Sequence, residues 1–298
     1  MRHIVIIPTR NEAKNIENTL SSLIAQIEVP DRVYVVDDGS TDDTAQIVNK
    51  IAKQYPIISI IRKNDRGSRL MGSGVVESFN VAYDKCKTEE FTYISKIDAD
   101  LILPLDYFEK ILTFMDRHLD VGAASGIIYD KIGEKLVELR LPENHVPGAL
   151  KTIRKKTFDE MGGFLPVLGW DIIDLVKIRS LGYKNVHLRE LKVIHLRQHA
   201  SAEGIHRGKS QWGKGAYIIG SNPLFVLARG VYRMFEPPYI TGGIAFWWGY
   251  LKAACTRTER IADKDLIKAL RREQLYRLIH FNKLPKHSSF KHPPALCD

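Results

Sequence analysis

The sequence predicts an α/β fold, with a mostly parallel central sheet flanked by helices and a helical C-terminal extension. Three observations carry this. Short β-branched runs alternate with helical patterns through the first hundred or so residues. Strand signals then become mixed and stop after about residue 205. The charge divides at nearly the same place: residues 1–200 carry no net charge, and residues 201–298 carry the whole excess of +9.

The strand signals of the first half are "HIVIIP" (3–8), "RVYVVD" (32–37), "IISIIR" (57–62) and "FTYISKID" (91–98). They are nearly continuous apolar runs, as expected where both faces of a sheet are covered. Between them, Ile16, Leu20, Leu23, Ile24 and Ile27 recur at helical spacing, and so do Ile47, Val48, Ile51 and Tyr55. Strand–helix–strand alternation implies right-handed crossovers and parallel pairing.

The second half predicts strands at "VGAASGIIYD" (121–130), "LVELRL" (136–141), "KNVHL" and "LKVIHL". A short helix at "KKTFDEMGGF" stops at Gly162 and Gly163, and "DIIDLVKIRSLGY" (171–183) is an amphipathic helix. Beyond residue 205 the pattern is helical over roughly 209–234, 239–257 and 263–281, with Pro223 and the pair Pro237 and Pro238 as breakers. The final "PKHSSFKHPPALCD" reads as a loose terminus. Two domains are expected: residues 1–204, divided at 104/105 into two halves, and an aromatic-rich, basic extension over 205–298.

Composition narrows the function classes. The three cysteines have neither metal-site nor redox spacing, which points to a reduced, cytoplasmic setting. The opening "MRHIVIIPTR" has too short an apolar run for a signal-peptide core. A basic tail attracts nucleic acid, anionic membrane or acidic substrate. It contains no recognisable nucleic-acid module, so no nucleic-acid partner is expected.

Four polar clusters fall at the carboxyl ends of the first four strands, where open parallel sheets bind ligands. They are "PTRNE" (8–12), "DDGSTDDT" (37–44), "NDRGSR" (64–69) and "DAD" (98–100). Each alone could be a helix cap or a solvated loop. Four on one rim favour a site. A phosphate-binding Gly-x-x-x-x-Gly-Lys loop is missing, and "GSGVVE" (72–77) does not directly follow a strand. Phosphates must then be held some other way, and a divalent cation on carboxylates does this. Asp98 and Asp100, two apart, would share one face of an extended strand.

"PTRNEAKNI", "VVDDGSTDDT" and "KIDADL", in this order and spacing, resemble the nucleotide-binding half of family 2 glycosyltransferases with the GT-A fold. "GALKTIRKKTFDEMGGF" and "GWDIIDLVKIRSLGY" resemble the acceptor half, so the likeness covers roughly residues 1–200. The resemblance implies that Pro8, Thr9, Asn11 and Glu12 lie against a nucleotide and that Asp38 contacts its base. It implies that Asp98 faces the ribose and that Asp100 binds a Mn²⁺ or Mg²⁺ ion bridging the diphosphate, with His195 as a further metal contact and His199 as the alternative. Arg66 and Arg69 match a less regular segment near the donor, where they could offset diphosphate charge. The family's Glu-Asp pair appears here as Trp170-Asp171, so Asp171 is the expected catalytic base and Asp174 the alternative or its support.

The expected activity is inverting transfer of a sugar from a nucleotide diphosphate sugar, UDP-linked by preference, to a hydroxyl acceptor in polysaccharide, glycan or glycolipid synthesis. Two other readings stand beside it: a polyprenyl-phosphate glycosyltransferase at the membrane surface, and a non-catalytic nucleotide-sugar scaffold. A glycosidase reading of the paired carboxylates leaves the "PTRNE" and "DDGS" loops without a role. In the extension, Trp247, Trp248 and Tyr250 followed by Lys252, Arg257 and Arg260 suit an interfacial helix at the inner face of the plasma membrane, a packed core helix or a homodimer contact.

Overall fold

A computed structural model describes residues 3–68, 70–139, 141–142, 144–196 and 204–280. Arg69, His199 and the terminal "PKHSSFKHPPALCD" lie outside the described residues. The chain divides into two compact units, Met1–Pro166 with Lys184–His199, and Val167–Tyr183 with Ala200–Asp298. The amphipathic helix read within the first domain thus groups with the C-terminal segment.

The first unit opens with three strand–helix repeats: β1 (His3–Thr9), α1 (Ile16–Ile24), β2 (Arg32–Asp37), α2 (Thr44–Ala52), β3 (Ile58–Arg62) and α3 (Ser73–Cys86). It continues with β4 (Tyr93–Ile97), β5 (Leu101–Ile102), α4 (Tyr107–Arg117), β6 (Val121–Ile132), β7 (Lys135–Glu138), β8 (Leu150–Arg154) and α5 (Lys155–Glu160). After α6 (Trp170–Ser180), which belongs to the other unit, the chain returns as β9 (Lys184–His195).

Among the described residues the strands form one sheet in the order β3-β2-β1-β4-β8-β6-β9-β5, with β7 on β6. The four strands β3, β2, β1 and β4 are parallel, as their crossovers require. The rest of the sheet is mixed: β8 runs antiparallel to both β4 and β6, and β5 antiparallel to β9, while β6 and β9 are parallel. The mostly parallel character expected of the sheet thus holds without exception over β3, β2, β1 and β4 and recurs in the β6–β9 pair. Strand β8 has no apolar-run signal in the sequence because Lys151, fully buried in the structure, interrupts it.

The core lies where the sequence periodicities converge. Val5, Ile7, Val33 and Val35 of the strands meet Leu20 and Leu23 of α1, all fully buried. Helix α1 ends at Ile24, so Ile27 leaves the apolar face and is 64% exposed. The segments "KNVHL" and "LKVIHL" are one strand and not two. The register between β6 and β9 jumps from Gly126 opposite Leu188 to Ile127 opposite Lys192, so residues 189–191 bulge out. Beyond that bulge, His195 aligns with Asp130.

The second unit is helical: α6, α7 (Ile205–Ile218), α8 (Pro223–Arg233), α9 (Thr241–Cys255) and α10 (Lys264–Ile279). Pro223 starts α8 at its first position instead of interrupting a longer helix, and Asn222 Oδ1 caps it by accepting from Leu224 N at 2.9 Å. Asp263 caps α10 in the same way. Arg179 of α6 makes a two-pronged ion pair with Glu273 of α10, at 2.8 and 2.7 Å, with both side chains buried.

Candidate active site

The first three rim clusters lock into one another. Strand β1 ends at Thr9, whose carbonyl accepts from Asp38 N at 2.9 Å. Asn11 adopts a left-handed backbone, its N–H donates to Ser40 Oγ at 2.9 Å, and its Oδ1 accepts from Thr41 N at 2.8 Å. Glu12 N donates to Thr44 Oγ1 at 2.8 Å, and Glu12 itself is buried. So "PTRNE" and "DDGST" form a single hydrogen-bonded rim, a relation that sequence spacing could not display.

Arg10 fastens the third loop to this rim. Its guanidinium donates to the Asp38 carbonyl and, at 2.7 Å, to Asp65. Gly39, at φ +73°, lies so close that an added Cβ would meet Asp65 Cα at 2.4 Å. Asp38 is buried, and its Oδ1 accepts from both Lys63 Nζ and Arg66 at 2.7 Å. Arg66 also holds Glu77 at 2.6 Å, so its charge is already divided between two carboxylates. A cleft beside them is lined by Pro8, Thr9, Asp38, Leu70, Gly74 and Val75. A wider surface depression at the other end of β4, lined by Phe91, Arg154, Lys155 and Lys156, contains none of the predicted site residues.

The fourth cluster departs from expectation. Strand β4 ends at Ile97, and residues 98–100 turn into β5. Asp98 and Asp100 therefore do not share a strand face. Asp98 is 36% exposed in its side chain and is bonded to the buried Lys96, while its N–H donates to Ala149 O at 2.8 Å. Asp100 is only 1% exposed. Pairing of Leu101 with His195 draws Asp100 against β9, and Asp100 Oδ2 lies 3.3 Å from His195 Nε2.

Asp130 completes this corner and was not singled out from the sequence. Its Oδ1 lies 2.8 Å from His195 Nδ1. The available signal was its place as a carboxylate closing an apolar strand run, like Asp37. Burial works to lower the His195 pKa, but hydrogen bonds to Asp100 and Asp130 and the surrounding carboxylate charge prevail and raise it to about 10. Among the described residues no three His, Cys, Asp or Glu side chains are placed to hold a metal ion by themselves. A carboxylate and an imidazole side by side nonetheless suit Mn²⁺ or Mg²⁺, since such ions keep positions for phosphate oxygens. The donor set thus fits a cation that substrate helps to hold.

In the second unit, Gly169 precedes α6 in a left-handed conformation. Asp171 is half-buried in the first turn. Asp174, one turn on, is 2% exposed and accepts from Leu175 N at 2.6 Å.

Comparison with known proteins agrees with this architecture. The family described as glycosyl transferase family 2 matches residues 4–165, more than half of the chain, and the chain belongs to that family. The match includes the four rim clusters and ends before Asp171. A poly-beta-1,6-N-acetyl-D-glucosamine synthase of Staphylococcus aureus (strain COL) is 26% identical over 116 residues, covering 39% of this chain and 26% of that protein. The chain thus matches only about a quarter of that relative's length. Among solved structures, the mannosyltransferase PcManGT from Pyrobaculum calidifontis, in complex with GDP-Man and Mn²⁺, has a TM-score of 0.57 at 19% identity and covers 93% of this chain and 80% of its own. TarS (1-349) of S. aureus in complex with UDP-GlcNAc has a TM-score of 0.51 at 16% identity, covering 94% and 87%. These likenesses establish the GT-A fold.

Proposed function

We propose that the protein transfers a sugar, with inversion, from a nucleotide diphosphate sugar to a hydroxyl acceptor in polysaccharide, glycan or glycolipid synthesis. The observation that carries this reading is the pairing of buried Asp100 with His195 on the same strand-end rim as the interlocked Thr9, Asn11 and Asp38 loops. One polar edge then offers a place for a base, a ribose and a cation-bound diphosphate. The UDP-GlcNAc and GDP-Man complexes of proteins with this fold support the donor class, and UDP is favoured.

In this reading Thr9, Asn11 and Glu12 shape the wall against which the nucleotide lies, and Asp38 meets the base from the cleft beside Gly74. Asp98, the more exposed carboxylate, faces the ribose. Asp100 and His195 hold the divalent cation, which when bound supplies Lewis-acid stabilisation to the departing diphosphate. Arg66, and Arg69 which lies outside the described residues, add positive charge near the donor.

Asp171 acts as general base. It takes the proton of the acceptor hydroxyl as that oxygen bonds to the anomeric carbon. The bond from that carbon to the diphosphate oxygen breaks, and the nucleoside diphosphate leaves with the electron pair. Such base assistance is worth on the order of 10²–10⁴-fold. The contrast between half-buried Asp171 and buried Asp174 supports Asp171 as base and Asp174 as a structural support.

The test is a paired substitution. Asp171→Asn is expected to bind donor as the parent does and to lose transfer. Asp174→Asn is expected to lower stability while keeping measurable transfer. Normal turnover by Asp171→Asn would remove it from the role of base. Donor hydrolysis by the parent with Mn²⁺ separates an enzyme from a scaffold that only binds.

A further inference from the structure

Helices α8 and α9 place their side chains in the reverse of a soluble core arrangement. On α9 the buried positions are Gly242, Gly243, Phe246, Gly249 and Ala253. Phe246 is the one large side chain among them; on the outer face Ile244 is 52%, Trp248 63% and Leu251 57% exposed. On α8 the buried residues are Val226 and Gly230, while Leu224, Leu227 and Val231 are 62%, 55% and 47% exposed. Both outer rows follow helical spacing, so each is a continuous stripe. The turn joining the helices links them through Phe235, Tyr239 and Ile240, exposed at 76%, 66% and 61%.

The inner glycines explain how this comes about. An added Cβ on Gly243 would meet Gly230 O at 2.4 Å, and one on Gly249 would meet Ser210 O of α7 at 1.9 Å. The backbones of α7, α8 and α9 thus approach closely at these glycines, and Gly230 leaves the space that the Trp247 indole fills, with Nε1 donating to Val226 O at 3.2 Å. Close glycine contacts inside and a row of large apolar residues outside is a pattern of helices whose outer face meets hydrocarbon. Scattered exposed apolar residues are ordinary, but rows of them on adjoining helices mark an interaction surface.

The occupant follows from charge and length. Residues 201–298 carry 16 Lys and Arg against 7 Asp and Glu. Lys252 and Arg257 are exposed at the end of α9, and Lys214 is exposed on α7. A second copy of this chain would bring an equally basic segment to the same face. An anionic lipid surface is complementary both to the stripes and to the cations. Among the described residues no helix is long and apolar enough to cross a membrane. The 15 residues of α9 reach about 22 Å at 1.5 Å per residue, short of the hydrocarbon core.

We propose that the α8–α9 hairpin is a membrane-docking surface. It lies in the plane of an anionic bilayer, with Phe235, Tyr239, Ile244, Trp248 and Leu251 in the acyl boundary and the surrounding lysines and arginines at the phosphates. This goes beyond sugar transfer and does not depend on it.

Co-sedimentation of the full chain with vesicles tests the surface. Phosphatidylcholine vesicles containing phosphatidylglycerol are expected to pellet the protein, and phosphatidylcholine alone is not. Binding should weaken as salt rises. The double variant Phe235→Ser/Trp248→Ser and the charge variant Lys252→Glu/Arg257→Glu should each lower the partition coefficient by about tenfold or more. Leu119→Ser, which removes a residue 71% exposed in the other unit, should bind as the parent does. Circular dichroism and Tm confirm that each variant is folded, which the exposure of the replaced side chains leads one to expect. Equal binding of neutral and anionic vesicles, or parental binding by both α8–α9 variants, would overturn the proposal. So would a dimer in light scattering that Phe235→Ser/Trp248→Ser converts to monomer, because a second copy would then cover this face.

Discussion

His195 presents Nδ1 to Asp130 Oδ1 at 2.8 Å and Nε2 to Asp100 Oδ2 at 3.3 Å, so one buried imidazole joins a carboxylate of β6 to one in the turn before β5. The relation between His195 and Asp130 is set by the β6–β9 register beyond the bulge, which aligns the two residues on adjacent strands. If Nε2 takes part in holding a cation, Asp130 fixes the tautomer by accepting from Nδ1. Asp130→Asn is therefore expected to raise the Mn²⁺ concentration needed for half-maximal activity by about 10–100-fold while changing the donor KM at saturating metal much less. A metal titration of activity reads this, and an unchanged midpoint would reduce Asp130 to a packing residue.

A second histidine makes an acid limb of stability. His3 is 3% exposed, its Nε2 lies 2.7 Å from Ser95 Oγ, and its ring packs edge-on against Phe108. Burial pushes its pKa down to about 3. Between that value and the ordinary histidine value near 6.5, the unfolded chain holds a proton that the folded chain does not. The contribution of His3 to stability is thus present above about pH 6.5 and is lost as pH falls toward 3, with a slope of up to about 1.4 kcal/mol per pH unit. Urea unfolding at pH 7, 6 and 5 should show the decline, and His3→Gln should flatten it.

Gly39 holds the junction of two rim loops. Any side chain there meets the Asp65 backbone and must also adopt φ near +73°. Gly39→Ala is expected to cost about 1–3 kcal/mol in denaturant unfolding and to weaken nucleotide binding. Gly67→Ala, at φ +75° but with open space around it, should cost less and leave binding intact.

The buried pair Arg179 and Glu273 joins α6 to α10. Removing one partner strands the other charge, so Glu273→Ala should cost about 3–5 kcal/mol. Urea midpoints measure this, and a loss below about 1 kcal/mol would place the pair with weak surface bridges.

These residues show what could be read from the sequence. Strands β1, β2 and β4 were visible as apolar runs closed by polar residues; Asp98 and Asp100 stood out as a carboxylate pair at the end of one such run, and Asp38 through the resemblance of its loop. Strand β8 was hidden by Lys151, and β5, two residues long, has no periodicity to detect. Asp130 and His195 meet only through strand register, which depends on a three-residue bulge. In the extension, the sequence made the aromatic and basic content plain. It did not reveal that glycines occupy the inner face of α9 and turn Trp248 and Leu251 outward.

The central claim is that the strand-end rim binds a nucleotide diphosphate sugar through Asp100. Calorimetric titration of UDP into the parent and into Asp100→Ala, each with and without Mn²⁺, tests it most directly. The parent is expected to bind UDP at least tenfold more tightly with Mn²⁺, and Asp100→Ala to lose that strengthening. Equal, Mn²⁺-enhanced binding by the two proteins would contradict it.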